Sequence, residues 1–449
     1  MIDSIIKELT GKDIAILGFG KEGKSSYDFI RKHSNMHLTI IDKNNILTSN
    51  PGLKEDPNID IIFGDNYLSG LEKYDLVLKG PGVITKDIDT SNINFSSQLE
   101  LLLKYNKQNT IGITATKGKS TTCTLTYEVI KACGKKVLLL GNIGTPIFEA
   151  IEDMDEDTLV VVEMAALQLE FVDVSPHIGC IINLFEDHLD HAGTVEHYHA
   201  NKLNMFKHQT RDDYMIYSCD LEPLPSYVSK NGYKGKPYKI SLDKNTDTDT
   251  LSVVDNYVIF NNEKLYNTLD HRYLVGTHNV RNIMFVLAIS HILGLDLNQV
   301  IHTINEFHGL EHRIEYVGKY HDIIYYNDSI ATVPAATINA IESLGSVDTL
   351  IFGGMDRGID YDELVDYLNK GTVRNLLGMP STGYKIIDLI TNDKVNKYKV
   401  ETLEEATKLA REITGKDKIC LLSPAASSYE YFKNFEEKGR AFKSLVKMD

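Results

Sequence analysis

The chain has 449 residues, 42% apolar and 24% charged, and at roughly 150 residues per domain it can build about three domains with separate cores. These proportions exclude a disordered or collagenous chain, and a net charge of −16 speaks against a nucleic-acid partner. Five scattered cysteines (Cys123, Cys133, Cys180, Cys219, Cys420) without CxxC spacing suggest neither a disulfide framework nor a cysteine zinc site. The N-terminus lacks the pattern of an export signal, and no apolar run approaches the roughly 18 residues of a membrane span. A cytoplasmic protein without a membrane partner is expected.

From the N-terminus, short β-branched runs alternate with helical stretches. Asp13–Leu17, Leu38–Ile41, Ile59–Phe63 and Leu76–Lys79 read as strands, with a helix over Ser25–Lys32 between the first two. After a helix at Ser97–Tyr105 comes a boundary near residue 105, then a strand at Thr110–Thr114 that runs into a glycine-containing loop and a helix. Val137–Leu140, Leu159–Glu163 and Ile178–Asn183 continue a parallel pattern, whereas Met215–Ser218 and a hairpin over Leu251–Phe260 read as peripheral additions. A helix at Asn279–Leu293 precedes a second boundary near residue 309. Beyond it Asp322–Tyr326, Thr349–Phe352, Lys385–Leu389 and Lys418–Leu422 read as strands between amphipathic helices such as Tyr361–Leu368 and Leu403–Ile413. The fold class is α/β, with three domains over 1–105, 106–309 and 310–449.

Two glycine-bearing loops lie between a strand and a helix. Gly18-Phe19-Gly20-Lys21-Glu22-Gly23, with Asp42 ending the next strand, has the spacing of a dinucleotide loop. That spacing suggests NAD or a flavin, with a turn whose glycines serve only strand-to-helix packing as the lesser alternative. Gly112-Ile113-Thr114-Ala115-Thr116-Lys117-Gly118-Lys119-Ser120-Thr121-Thr122 ends in the Gly-Lys-Ser of a phosphate loop, although its first glycine stands one residue too early for a strict Walker A. Its backbone N–H groups can cradle phosphates, Lys119 can meet the β/γ oxygens, and Ser120 or Thr121 can meet Mg²⁺. Glu163 and the run Glu186-Asp187-His188-Leu189-Asp190-His191 collect carboxylates and imidazoles at strand C-termini, which suits Mg²⁺. The spacing of His188, His191, His197 and His199 matches no zinc motif.

The phosphate loop is followed by Gly141-Asn142-Ile143-Gly144, Asn183-Leu184-Phe185-Glu186-Asp187-His188 with Lys202, and Gly276-Thr277-His278-Asn279 with Asn282. Then come Gly309-Leu310-Glu311-His312-Arg313, Asn327-Asp328-Ser329, and Ser423-Pro424-Ala425 with Phe432-Lys433-Asn434-Phe435-Glu436. In order and spacing the whole chain resembles the Mur ligase family. Within it, the last motif, Asn327-Asp328-Ser329-Ile330-Ala331-Thr332 and Gly353-Gly354-Met355-Asp356-Arg357-Gly358 are most similar to the branch that adds D-glutamate to UDP-N-acetylmuramoyl-L-alanine for peptidoglycan precursors.

The resemblance implies three domains, N-terminal Rossmann-like, central ATPase-like with a mainly parallel sheet, and C-terminal Rossmann-like. It implies a ligase forming an amide through an acyl phosphate, with Lys119, His188 and Lys202 as catalytic residues. The N-terminal domain would hold the uridine nucleotide of the substrate through Lys21, Glu22, Asp42 and Gly82, with Asn142 from the central domain. ATP would be held by Thr116, Lys117, Gly118, Lys119, Ser120, Thr121, Asn282, Arg313 and Asp328, the last two closing over it from the third domain. Two Mg²⁺ sites are implied, with Ser120 or Thr121 and Glu163 at one and His188 at the other. Lys202, 14 residues after His188, falls where family members carry a lysine carbamylated by CO₂. That step replaces an ammonium with an anionic oxygen ligand suited to Mg²⁺. Thr332, Arg357, Ser428, Tyr429 and Phe435 would surround D-glutamate, with Arg357 gripping the side-chain carboxylate. A monomer is expected.

Three departures accompany the resemblance: Ala115 in place of a glycine, Ala165 and Ala166 in place of small hydroxyl residues, and Ile330 in place of a lysine. They leave open a ligase for a different amino acid or carboxylate, or a non-catalytic nucleotide or UDP-sugar-binding relative.

Overall fold

Strands buried on both faces of a parallel sheet must be almost wholly apolar, and the run Ile14–Leu17 meets that demand with all four residues buried. A computed structural model of the chain describes residues 1–186, 194–245, 247–429 and 431–448. The chain forms two units, one of Met1–Asp270 with Val280–Ile304 and one of His271–Asn279 with Asn305–Asp449.

The first unit holds two sheets. One contains β1 (Ile14–Leu17), β2 (Leu38–Asp42), β3 (Ile59–Phe63), β4 (Leu76–Lys79) and β5 (Phe95–Ser96), all parallel, in the order β3-β2-β1-β4-β5. The chain reverses direction across the sheet between β1 and β4, which opens a crevice at their carboxyl ends. The other contains β6 (Thr110–Thr114), β7 (Val137–Gly141), β8 (Leu159–Glu163), β9 (Ile178–Ile181), β10 (Tyr214–Ser218), β11 (Lys236–Ser241), β12 (Thr250–Val254), β13 (Tyr257–Phe260) and β14 (Glu263–Asn267). Its order is β14-β13-β12-β11-β10-β9-β6-β8-β7. β12, β13 and β14 pair antiparallel. Met215–Ser218 is therefore no peripheral addition: as β10 it pairs in parallel with both β9 and β11 and carries the sheet outward. One apolar core runs through both sheets, with the Phe29 and Phe148 rings 4.3 Å apart. The boundary expected near residue 105 falls inside this unit, between the helix Gln98–Asn106 and β6.

The second unit is built on β15 (Glu315–Tyr320), β16 (Ile323–Asn327), β17 (Val347–Gly353), β18 (Asn375–Met379), β19 (Asn396–Lys399) and β20 (Ile419–Leu422). Their order is β15-β16-β20-β17-β18-β19, parallel except for β15. The expected strand at Lys385–Leu389 is instead part of a helix, Thr382–Leu389. Its β-branched pair, Ile386 and Ile387, packs one helical face with Ile390 into the core. Gly378 and Gly383 let that helix approach β18, since a Cβ on Gly383 would come 2.8 Å from the Gly378 Cα. A short apolar run does not distinguish the two conformations by itself.

In the first loop, the helix Lys21–His33 lies so close to the end of β1 that a Cβ on Gly23 would collide with the carbonyl oxygen of Gly18. Gly23 therefore serves packing, and Gly23→Ala should destabilise the first unit by about 1–3 kcal/mol or more. Urea unfolding followed by circular dichroism checks this; an unchanged midpoint would show that the helix moves aside freely.

Candidate active site

The phosphate loop leaves the end of β6, an interior strand flanked by β9 and β8. Gly118 takes φ +94°, and a Cβ there would come 2.6 Å from Asn282 Oδ1, so glycine is required both by conformation and by the buried amide above it. Asn183, just past β9, fixes the loop from the other side: its Oδ1 accepts from the N–H groups of Thr116 (3.0 Å) and Lys117 (2.9 Å), and its Nδ2 donates to the Lys117 carbonyl (2.8 Å). The remaining N–H groups at the start of the helix Lys119–Ala132 face an anion's natural position at a helix N-terminus. Asn183 was not among the expected site residues. In the sequence it opens the motif Asn183-Leu184-Phe185-Glu186-Asp187-His188 but carries no assigned role there.

Lys119 curls back over the loop and donates to the carbonyls of Ala115 (2.8 Å) and Thr116 (3.1 Å). Lys202, on the helix Val195–Lys207, is 1% exposed and donates to the same Ala115 carbonyl at 2.8 Å, with its nitrogen 4.7 Å from the Tyr198 ring centre. Two ammonium groups thus converge on one oxygen. Glu163, at the end of β8 and in register with Ile113 of β6, is 1% exposed. Its Oε1 accepts from Asn142 Nδ2 at 2.8 Å, and its Oε2 is buried with no hydrogen-bond partner among the described residues. A buried orphan carboxylate oxygen on the strand next to β6, whose loop leads to the half-buried hydroxyl residues Ser120 and Thr121, offers donors of the kind that fit Mg²⁺. His188 lies outside the described residues.

The other glycine loop opens into a cleft of ≈ 550 Å³ at the carboxyl ends of β1 and β4, and Lys21, Glu22, Asp42, Gly82 and Asn142 all line it. Gly18, at φ +86°, turns the chain into it. Asp42 fastens the loop, accepting from the N–H of Phe19 at 2.7 Å through one oxygen and from that of Asn44 at 2.8 Å through the other. Glu22 accepts from Gln168 Nε2 at 2.8 Å, and burial raises its pKa against that bond and the nearby Lys79. Gln168 also folds back on the segment after Glu163, its Oε1 accepting the Ala165 N–H at 3.0 Å. Ala115 is fully buried and lies outside the positive-φ residues, so its methyl costs the loop nothing conformationally.

In the second unit, Asp328 follows β16 and is 4% exposed. Burial pushes its pKa up to about 7, opposed by hydrogen bonds from Ser423 Oγ (2.8 Å) and the Ile314 N–H (3.2 Å), and by the Arg313 charge. Arg313 is exposed and stands between two residues of positive φ, His312 (67°) and the β-branched Ile314 (44°), backbone strain of the kind functional loops hold. Of the residues expected around an amino acid, Ser428 is buried with its Oγ lacking a hydrogen-bond partner among the described residues, and Phe435 packs edge-on against His312. Thr332 is half-buried, while Tyr429 and Arg357 are exposed. Asp356 pairs with Lys385, and among the described residues no carboxylate pairs with Arg357.

Residues 113–290 match the family model of the Mur ligase middle domain. The chain is 33% identical over 458 aligned positions to the UDP-N-acetylmuramoylalanine–D-glutamate ligase of Thermoanaerobacter sp. (strain X514), with 98% of this chain and 99% of that one covered. It is 32% identical to the ligase of the same name from Bacillus cereus (strain G9842), with 98% of each covered. The crystal structure of UDP-N-acetylmuramate–alanine ligase from Thermotoga maritima aligns with a TM-score of 0.55 at 18% identity, over 96% of this chain and 98% of that one. At that identity the likeness concerns the fold.

The raised pKa of Asp328 has a consequence for stability. Between about 4 and about 7 the folded state binds the proton that the unfolded state releases, so stability falls as pH rises through that window. Asp328→Asn removes the cost of burying the charge and should gain a few kcal/mol on the parent between pH 5 and pH 8. Urea unfolding at both pH values checks it, and an equal difference at the two would be inconsistent with a buried, neutral acid.

Proposed function

This chain belongs to the Mur ligase family, and we propose that it joins D-glutamate to UDP-N-acetylmuramoyl-L-alanine with ATP, in the synthesis of peptidoglycan precursors. The observation that carries this reading is Asn142, which lines the large cleft and also donates to Glu163 beside the phosphate loop. A nucleotide-linked substrate held in the cleft would have its free carboxylate directed toward the phosphate to be transferred. Lys21 supplies a cation at the helix N-terminus for the substrate's diphosphate, and the tethered Asp42 shapes the loop. The protein is proposed to act in the cytoplasm as a monomer; no helix of the described residues is long and apolar enough to cross a membrane.

In the reaction, an oxygen of the L-alanyl carboxylate forms a bond to the γ-phosphorus of ATP as the bond to the β-phosphate oxygen breaks, giving an acyl phosphate and ADP. Lys119 swings from the loop carbonyls onto the β/γ oxygens, and the loop N–H groups hold the phosphates in line. Two Mg²⁺ ions, when bound, neutralise charge on the transferring oxygens. Glu163 together with Ser120 or Thr121 would hold one, with His188 and a carbamate on Lys202 at the other. Arg313 and Asp328 are the second unit's contribution to ATP binding, and Thr332, Arg357, Ser428, Tyr429 and Phe435 its contribution to the acceptor. The amine of D-glutamate then attacks the acyl carbon, loses a proton and expels phosphate, leaving the amide.

Phosphate release from ATP, measured with and without UDP-N-acetylmuramoyl-L-alanine and with a panel of D- and L-amino acids, tests the reading. Release should require both the UDP substrate and D-glutamate; release with another amino acid only would replace the acceptor. A separate prediction concerns Lys202. Lys202→Ala should lose most activity, and a small carboxylate such as acetate should restore part of it, because what is missing is an anion. Mass analysis in CO₂-containing buffer showing an unmodified lysine in active protein would rule the carbamate out.

A further inference from the structure

Lys438 carries its ammonium group into the interior of the second unit, and no step above uses it. The residue sits one helical turn after Phe435 on the helix Phe435–Lys447, and it is 2% exposed. Its nitrogen donates to the Gly353 carbonyl at 2.9 Å, one acceptor for a group with three donors. Among the described residues no carboxylate forms an ion pair with it, and burial alone lowers its pKa to about 7. A buried cation without a counter-charge is costly to the fold unless something supplies one.

Beside it lies a cavity of ≈ 220 Å³. An engineered cavity of about 150 Å³ admits benzene, so this one has room for an amino-acid side chain. Met379, Leu403 and Phe432 make its walls apolar, and Glu401, which also lines it, is exposed. Two polar side chains lie at the cavity and are themselves buried: Lys438, and Ser428, whose Oγ has no hydrogen-bond partner among the described residues. The cavity opens past the carboxyl ends of β17 and β18, through Gly353 and Met379. The chain crosses back over the sheet from β19 to β20 on the far side of β17, and such a reversal is where open α/β sheets leave room for ligands.

We propose that this cavity receives the side-chain carboxylate of the amino-acid acceptor, with Lys438 as its cation and Ser428 as its neutral donor. The proposal rests on D-glutamate being that acceptor. It reassigns Arg357: exposed on the turn just after Gly354, that guanidinium is left for the α-carboxylate near the mouth, where the amine must stay free to attack. The deep group fixes side-chain identity. An amide in place of the carboxylate would leave the buried ammonium without its counter-charge, so D-glutamine should be rejected strongly.

Lys438→Met keeps the length and volume of the side chain without its charge. In the full chain it should raise the KM for D-glutamate roughly thirty-fold or more, as losing the partner of a desolvated charge does, while the KM for ATP stays within about twofold. The preference for D-glutamate over D-glutamine should narrow by a similar factor, Lys438→Arg should restore much of it, and Lys438→Met should melt no lower than the parent. Ser428→Ala, which removes one hydroxyl, should raise the same KM several-fold and keeps the test open if the methionine variant does not fold. An unchanged KM for D-glutamate in an active Lys438→Met protein overturns the proposal, as does a lower melting temperature with all KM values unmoved, the mark of a brace on Gly353 only. A parent that turns over no D-glutamate overturns the acceptor assignment, and this proposal with it.

Discussion

The convergence of Lys119 and Lys202 on the carbonyl of Ala115 is the constraint around which the first unit is organised. Two ammonium groups sharing one oxygen, one of them almost without solvent, repel each other in a medium that screens poorly. The role proposed for this region, holding phosphate, fits that concentration of positive charge. The loop N–H groups, held in place by Asn183, and the lysine cations suit phosphate oxygens, while the orphan oxygen of Glu163 suits a divalent cation that would accompany them. Carbamylation of Lys202 would relieve the same repulsion by turning one of the two cations into an anion. The chemistry proposed for the site is thus of the sign that two converging ammonium groups and an orphan carboxylate oxygen suit.

Coupling between the two ligand regions of the first unit follows from strand order. Because β8 lies next to β6, Glu163 reaches the level of the phosphate loop, and because β7 is paired to β8, Asn142 emerges beside Glu163. Gly141, just before it, has φ +100°, and a Cβ there would collide with the Glu163 carbonyl. The glycine is the condition for Asn142 to turn toward both the cleft and the carboxylate. A single amide thus touches the region proposed for the UDP-linked substrate's nucleotide and the region proposed for the metal.

Much of this was legible in the sequence, and the limits have physical causes. The Gly-Lys-Ser loop, the glycines after β1 and the carboxylate ending β8 are local patterns, fixed by a few neighbouring residues, and the structure puts them at strand ends as their spacing requires. The five residues expected to contact a uridine nucleotide do line one cleft, yet Asp42 and Glu22 spend their carboxylates on Phe19, Asn44 and Gln168, which spacing could not reveal. The helix at Thr382–Leu389 reads as a strand in the sequence because Ile386 and Ile387 suit either conformation, whereas in the fold the close approach of Gly383 to Gly378 seats the segment as a helix against β18. Lys438 gave no signal at all. A lysine in an amphipathic helix reads as solvated, and only tertiary packing buries it.

Lys438 and Asp328 pose one problem from opposite sides. Burial lowers the base and raises the acid until both stand near 7, so neither holds its full charge in the second unit without help. Each loses stability for the fold when ionised, and each would regain it from a ligand of opposite charge: a carboxylate for the lysine, the cationic surroundings of bound nucleotide for the aspartate. Ligand binding to such a unit does more than fill space. With the proposed ligands bound, counter-charges would be supplied to both groups, and binding would be linked to proton uptake or release, a carboxylate drawing a proton onto Lys438 and a cation drawing one off Asp328. If the proposed ligands bind there, the second unit would be more stable with them than without them, and the same burial that makes Lys438 and Asp328 costly to ionise would favour charged groups over neutral ones.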